Sequence, residues 1–373
     1  MKNRKIMVTK PFLPKRRLYN KLVKKIWKNE WLTNNGPVIK QFETELKNYL
    51  KIENICLTVN GHSALDIAIK ALELKGEVIT TPFTFASTVH SLVLNNIKPV
   101  FCDIKPTDMT IDESKIEDLI TDKTTAILPV NVYGHSCNMK EIERIAKKHH
   151  LKVLYDGAHA FGVTENNKST AIYGDAYIYS FHATKLFNTI EGGCVVYKDK
   201  EVGKRLSAFR NFGITSQEDV PYVGGNAKMN EFQAAMGICN LKSIDKIIKN
   251  RKKTTFYYRE KLNDVKGISY FVPENENEYT YNYAYLPILV NEKVFGVSRD
   301  ELHEKLQNYG IYTRKYFYPI IPDFECYKNT FKNAKLPVAR KIGQEVLCLP
   351  LYYGLKKKNI DYIIESIKRI GGI

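Results

Sequence analysis

Between residues 55 and 198 the chain alternates short apolar runs with stretches of helical spacing, and this alternation constrains the fold more than any other feature. Residues 55–59, 77–81, 99–104, 125–130, 152–156, 176–181 and 194–198 read as strands. Residues 64–74, 84–95 and 139–149 read as the helices between them. Strands separated by helices predict an α/β fold, with a mostly parallel sheet covered on both faces. Such sheets bind ligands at the carboxyl ends of their strands. Asn60, Phe85, Asp156 and Ser180 fall at or just past those ends.

Two helical patterns, 17–28 and 42–50, precede the alternation, joined through the turn-rich Trp31-Leu32-Thr33-Asn34-Asn35-Gly36-Pro37. After about residue 240 the texture changes. A long basic helix is expected over 241–262, a strand over 281–290, and helices over 298–309 and 360–370. A chain of 373 residues is too long for one small core. The expected division is a large domain over 1–240 and a smaller α+β domain over 241–373.

Net charge is +17, which raises nucleic-acid binding as a reading. The cations are spread along the chain and broken by acids, as in Lys242-Ser243-Ile244-Asp245-Lys246, and no nucleic-acid-binding motif accompanies them. A general attraction for anionic substrates fits better. No apolar run approaches the roughly 20 residues of a membrane helix. The basic start, Met1-Lys2-Asn3-Arg4-Lys5, has no apolar stretch behind it, so no secretory signal is expected. The seven cysteines are dispersed without a C-x-x-C pair. They read as reduced and buried, which points to the cytoplasm. No metal site has suitable spacing.

Four elements could carry chemistry. Lys185 follows the strand at 176–181; a deprotonated lysine there could form a Schiff base, or it could be one surface lysine among many. Asn60-Gly61-His62-Ser63 joins a strand to a helix. Its amides and the Ser63 hydroxyl could hold a phosphate, or it could be an ordinary helix cap. Asp156 ends a strand and His159 follows; they could meet a protonated ring nitrogen, or be a capping Asp and a core His. Phe85 could stack on a flat ligand, or be core. Taken together, phosphate cradle, stacking ring, acid and strand-end lysine are the requirements of pyridoxal phosphate.

Several motifs resemble the DegT/DnrJ/EryC1/StrS sugar aminotransferases. They are Ser180-Phe181-His182-Ala183-Thr184-Lys185, Glu191-Gly192-Gly193, Asp156-Gly157-Ala158-His159-Ala160 and Lys228-Met229-Asn230-Glu231-Phe232-Gln233-Ala234-Ala235. The resemblance runs from Trp31-Leu32-Thr33 to Leu349-Pro350-Leu351. It implies an aspartate-aminotransferase-like fold (fold type I), with pyridoxal 5'-phosphate as cofactor and pyridoxamine phosphate as its alternate form. Lys185 would carry the cofactor as a Schiff base and move protons, and Asp156 would keep the pyridine nitrogen protonated. Phe85 would stack on the ring and His159 would contact it. Gly61, His62, Ser63 and Ser180 would bind the phosphate. His62 stands where the family usually has threonine or serine, so its backbone N–H would serve. A homodimer with shared active sites is implied, in which Asn226 and Lys228 reach the neighbour's phosphate site. Gly225, Ala227 and Lys228 depart from the aromatic and arginine usual in that segment.

The implied reaction moves an amino group from L-glutamate to a ketone on a nucleotide-linked sugar. His182 together with Glu191-Gly192-Gly193 resembles enzymes acting on 4-keto sugars. The expected substrate is dTDP-4-keto-6-deoxyglucose, with Trp31, Asn35, Arg314 and Tyr316 on the sugar-nucleotide side or packed between domains. Amination at carbon 3, a UDP-linked sugar and a non-catalytic regulatory protein are the competing readings. Family members that act as dehydratases carry histidine in place of the lysine, and Lys185 argues against that chemistry.

Overall fold

The computed structural model describes residues 5–271 and 279–372; the basic start at residues 1–4 lies outside them. Helices α1 (Arg16–Asn29) and α2 (Pro37–Leu50) come first. Next are β1 (Ile55–Thr58), α3 (Gly61–Ala71), β2 (Glu77–Thr80), α4 (Ala86–Leu94), β3 (Lys98–Phe101), β4 (Thr124–Leu128), α5 (Met139–Lys148) and β5 (Lys152–Asp156). A small hairpin of β6 (Thr164–Glu165) and β7 (Lys168–Ser169) precedes β8 (Ala176–Ser180), β9 (Gly193–Tyr197) and α6 (Lys200–Arg210). The remainder is α7 (Glu231–Leu241), α8 (Ile244–Leu262), β10 (Ile268–Tyr270), β11 (Tyr279–Thr280), β12 (Pro287–Val290), α9 (Glu292–Phe295), α10 (Arg299–Asn308), α11 (Pro337–Glu345), β13 (Val346–Cys348) and α12 (Lys357–Ile370).

Seven strands form the main sheet in the order β1-β9-β8-β5-β4-β2-β3. The β3–β2, β2–β4, β4–β5 and β5–β8 pairs are parallel, and β9 runs against both of its neighbours. Side chains alternate across this sheet, so adjacent residues serve opposite cores. Tyr155, Tyr177 and Tyr179 enter a core with α1, α2, α5 and α7. Leu154 and Ile178 enter another with α3, α4 and α6. Burial on both faces explains why β1 and β8 are nearly continuous apolar runs.

A three-stranded antiparallel sheet, β10-β12-β13, builds the second unit. Its core takes Tyr258 and Leu262 from α8 and the Ile360, Ile363, Ile364 and Ile367 stripe of α12. That i, i+3, i+4, i+7 spacing is one helix face. We propose 240/241 as the division between the two domains. Ile6 nevertheless packs in the second core and bridges Ile311. The segment before α1 therefore straps the first unit to the second.

Two element expectations change. The long helix expected over 241–262 begins at Ile244, and a separate helix, α7, precedes it. α7 is buried nearly all round, so it shows no amphipathic period. The strand expected over 281–290 is regular only at Pro287–Val290. Asn282 interrupts it by donating to the carbonyls of His159 and Phe161 at 2.7 and 3.0 Å, and Tyr283 takes a φ of +53°.

Candidate active site

A cavity of about 490 Å³ opens at the carboxyl ends of β1, β5 and β8. Gly61, His62, Phe85, Asp156, His159, Ser180, Lys185, Arg314 and Tyr316 line it together. Thus three separate strand ends and a second-domain segment converge on one space. Gly193 pairs with both Thr58 and Ser180, which brings the ends of β1 and β8 side by side. A Cβ at Gly193 would lie 2.7 Å from the Asn60 carbonyl carbon. Gly193 is therefore required by the close approach of β9 to the turn between β1 and α3.

Asp156 is buried at the end of β5. Its backbone N–H donates to the Pro129 carbonyl at 2.9 Å and its carbonyl accepts from Asn131 at 3.0 Å, so the strand end is pinned. Oδ2 accepts from the Thr88 hydroxyl at 2.8 Å and Oδ1 from the Ala158 amide at 3.0 Å. Burial raises its carboxyl above the usual carboxylate range, against those two bonds and the charge of Lys185. Burial also lowers Lys185 to about 8, with Asp156 pulling the other way. A lysine tuned to that value supplies free amine near neutral pH and can give and take protons there.

Asn60 caps α3, its Oδ1 accepting from the Ser63 amide at 2.8 Å. The Gly61 and His62 amides are at the first two helical positions, where no intrahelical acceptor exists. An anion is favoured there by those donors and by the helix dipole. Gly61 must be glycine: a Cβ would meet Ser180 Cβ at 2.7 Å. This close approach sets Ser180 beside the helix start. Phe85, at the N-cap of α4, is 58% exposed, an aromatic face without a covering in the single chain.

His159 accepts from the Tyr133 amide through Nδ1 at 3.0 Å. The neutral ring therefore carries its hydrogen on Nε2. Burial, then the charge of Lys185, holds its pKa well below the usual histidine value. Phe317 lies nearly parallel to the ring, with centroids 5.9 Å apart.

Five expected residues stand outside this cavity. Ser63 gives its amide to the cap and does not line the space. Asn35 and Lys228 line a different, larger cavity of about 940 Å³ beside α6. Lys228 donates there to Asn211 at 2.8 Å and lies over the Phe212 ring. Asn226 bridges Asn211 on the same side. Trp31 is half exposed in its loop. Conversely, Thr84, Tyr285 and Phe317 line the Lys185 cavity without having been expected there, and Thr88 supports Asp156. Only the four-residue spacing of Thr84 and Thr88 offered a signal; Thr84 lies just before the Phe85 N-cap of α4 and its hydroxyl meets that of Thr88 on the helix.

The DegT/DnrJ/EryC1/StrS aminotransferase family model matches residues 15–368. The chain belongs to this family. The dTDP-4-amino-4,6-dideoxy-D-glucose transaminase of Shigella dysenteriae is 43% identical, covering 98% of this chain and 99% of that protein. The Escherichia coli protein of the same name is 41% identical over the same shares. The crystal structure of DesI in the presence of its TDP-sugar product superposes with a TM-score of 0.93 at 30% identity, covering 98% of this chain and 93% of that one.

The protein is an aminotransferase dependent on pyridoxal phosphate. The residues fit that group: the close approach of Gly61 to Ser180 leaves a cradle at a helix start, Phe85 is an open aromatic face, and Lys185 is a partly buried residue whose amine desolvation lowers to about 8. When bound, the cofactor supplies an aldehyde for the lysine and an electron-accepting ring. The Gly61 and His62 amides with Ser180 would hold its phosphate. Asp156 would hold a proton on the ring nitrogen. Lys185 Nζ would take and return the proton at the reacting carbon. Buried His159 offers Nε2–H as a neutral donor. Among the described residues no cluster of three metal-ligating side chains occurs.

Proposed function

We propose that the protein aminates carbon 4 of dTDP-4-keto-6-deoxyglucose, with L-glutamate as donor, to give dTDP-4-amino-4,6-dideoxyglucose for surface-glycan synthesis. The observation that carries the reading is end-to-end identity of 43% and 41% to two transaminases named for that product. The Lys185–Asp156 pair supports the transfer chemistry, and Arg314 at the cavity mouth supports an anionic substrate. We assign Lys185 and Asp156 as catalytic, and Gly61, His62, Phe85, His159 and Ser180 as cofactor contacts.

The functional unit in this reading is a homodimer. Phe212, Val220 and Val223 are exposed apolar side chains, Val223 at 93%, on the loop that precedes Asn226 and Lys228. A second copy covering that loop would bring Asn226 and Lys228, with Trp31 and Asn35 on the same side, toward its own cofactor. The cytoplasm is the proposed location, on the ground that all seven cysteines are free. No described helix is long and apolar enough to cross a membrane. The reading calls for neither a nucleic-acid nor a membrane partner.

A panel of dTDP- and UDP-linked 4-keto and 3-keto sugars, offered with glutamate and read by NMR, tests the proposal. The expected product is the dTDP-linked 4-amino sugar. Amination at carbon 3 alone, or of UDP sugars alone, would overturn it.

A further inference from the structure

The pairing of β8 with β9 continues past the strand ends, because the Phe181 amide donates to the Gly192 carbonyl at 2.7 Å. Ser180 faces Gly193, so the same register sets His182 opposite Glu191 as a cross-strand neighbour. His182 Nε2 lies 3.4 Å from Glu191 Oε1. Both residues line the Lys185 cavity, with side chains 43% and 51% exposed.

Each member of the pair is held in place. His182 Nδ1 accepts from the Thr184 amide at 3.2 Å, with the Thr184 hydroxyl 2.7 Å away. An amide can only donate, so the neutral ring carries its hydrogen on Nε2, the nitrogen that faces Glu191. The His182 carbonyl accepts from the Lys185 amide at 2.9 Å, so imidazole and lysine share one turn. The Glu191 carbonyl accepts from the Thr189 hydroxyl at 2.6 Å and from Gln233 of α7 at 2.8 Å. Ile190, just before it, takes a φ of +72°, which a β-branched residue rarely adopts. Strain of this kind persists only where the surroundings over-determine it, and it clusters at functional sites.

Transamination also exchanges a carbonyl oxygen for nitrogen, and this needs proton transfers at a different atom from the carbon that Lys185 serves. When an amine adds to a ketone, its lone pair makes the new C–N bond and the C=O pair passes to oxygen. The oxygen then leaves as water with two hydrogens that the nitrogen gives up, so nothing is oxidised or reduced. Release of the 2-oxo acid from the donor is the reverse: water adds and the amine departs. A group beside that oxygen must carry each hydrogen between nitrogen and oxygen.

We propose that Glu191 is that carrier, the general base and acid at the carbonyl oxygen, and that His182 is its positioning residue. The proposal deepens the transamination at this site and does not depend on which sugar is aminated. A carboxylate can take a hydrogen from nitrogen and return it to oxygen. Neutral His182 cannot, since loss of its Nε2 hydrogen would leave an anionic ring; it offers that hydrogen to the carboxylate instead. At 3.4 Å the contact is longer than a charge-assisted hydrogen bond, which leaves Oε1 open to a second partner.

Two signals from the cofactor-loaded protein separate this step from the one at Lys185. Exchange of the donor's α-hydrogen in deuterium oxide needs no addition of water, whereas release of the 2-oxo acid does. The donor used is whichever amino acid exchanges fastest with the unsubstituted protein, so an error in the glutamate reading leaves this test intact. In Glu191→Gln, release should fall about 10²-fold while exchange changes little. Formate added to Glu191→Ala should restore release in part, which a structural role would not produce. His182→Ala should slow release about tenfold, without a response to formate. Cofactor retained on dialysis should match the unsubstituted protein in all three. Unchanged release in Glu191→Gln would overturn the proposal. So would parallel loss of exchange and release, or loss of cofactor on dialysis, because the pair would then hold the lysine turn rather than move protons.

Discussion

The Thr88 hydroxyl donates its one hydrogen to Oδ2 of Asp156, at 2.8 Å. The 2.8 Å contact between Thr84 and Thr88 must then run from the Thr84 hydroxyl. A relay of Thr84 to Thr88 to Asp156 results, beneath a carboxylate that burial pushes toward its protonated form. Replacing Thr88 by valine keeps the shape and removes the donor. The carboxyl pKa should rise further, because a bond to the charged form is lost. We expect kcat to fall about ten- to a hundredfold, consistent with the ~1.5–3 kcal/mol of a bond to a charged group. The acid limb of the pH–rate profile should move to higher pH, which a purely structural role for Thr88 would not produce.

Lys185 gives a second pH dependence, in which burial shifts the group in the opposite direction. Burial lowers its pKa to about 8, so the folded protein sheds this proton more readily than an exposed lysine does. Only the free amine attacks an aldehyde. Below about 8 the rate at which cofactor-free protein captures pyridoxal phosphate should rise nearly tenfold per pH unit, and above it the rate should level off. Stopped-flow absorbance reads this directly. A profile that still climbs through pH 10 would mean that the lysine is not buried as described. Lys185→Ala should abolish both the visible band and turnover.

Replacing Asp156 by asparagine separates holding the cofactor from activating it. The amide keeps the volume and an acceptor for Thr88 or Ala158, but it cannot hold a ring proton by charge. Cofactor capture at Lys185 should persist, while turnover falls by about 10² to 10⁴-fold. Retained turnover would remove Asp156 from the assignment.

How much of this site was legible depends on where each residue gets its position. Asp156, Ser180, Lys185 and the Gly61 turn owe theirs to strand ends, and strand ends follow from the apolar alternation. Thr88, Tyr133 and Phe317 owe theirs to tertiary contacts. Tyr133 matters through its backbone amide on His159, and no side-chain pattern reports that. Phe317 arrives from the second domain to stack on the same histidine. The region around Asn226 and Lys228 was legible as a motif, but its place in the single chain is the cavity beside α6. α7 escaped detection for a plain reason: a helix buried all round has no polar face to set a period.

The close contact between Gly61 and Ser180 yields a stability prediction tied to cofactor affinity. An alanine Cβ at 61 would sit 2.7 Å from Ser180 Cβ and 3.2 Å from its Cα, so backbone must move on one side. Overpacking of this kind costs about 1–3 kcal/mol. Displacement of the α3 start also moves the Gly61 and His62 amides away from Ser180. Gly61→Ala should therefore release cofactor more readily on dilution, as well as melting earlier. A variant that melts earlier with unchanged cofactor affinity would place the phosphate elsewhere.

Glu231 opens α7, yet its carboxylate serves another helix. Oε2 accepts from the Val38 amide at 2.8 Å and Oε1 from the Ile39 amide at 3.0 Å, at the first turn of α2. The N-cap of α2 is Gly36, which has no side chain to offer. Glu231 supplies the missing cap from 193 residues away, buried at 1% exposure. A negative group there also favours the positive end of the α2 dipole. Glu231→Ala strands two amides and removes that charge, with an expected loss of about 2–3 kcal/mol. The lower melting temperature should come without a change in the pH at which Lys185 captures cofactor, since Glu231 does not line that cavity. A shift in that pH would show that α2, α7 and the lysine loop are coupled more tightly than their packing indicates.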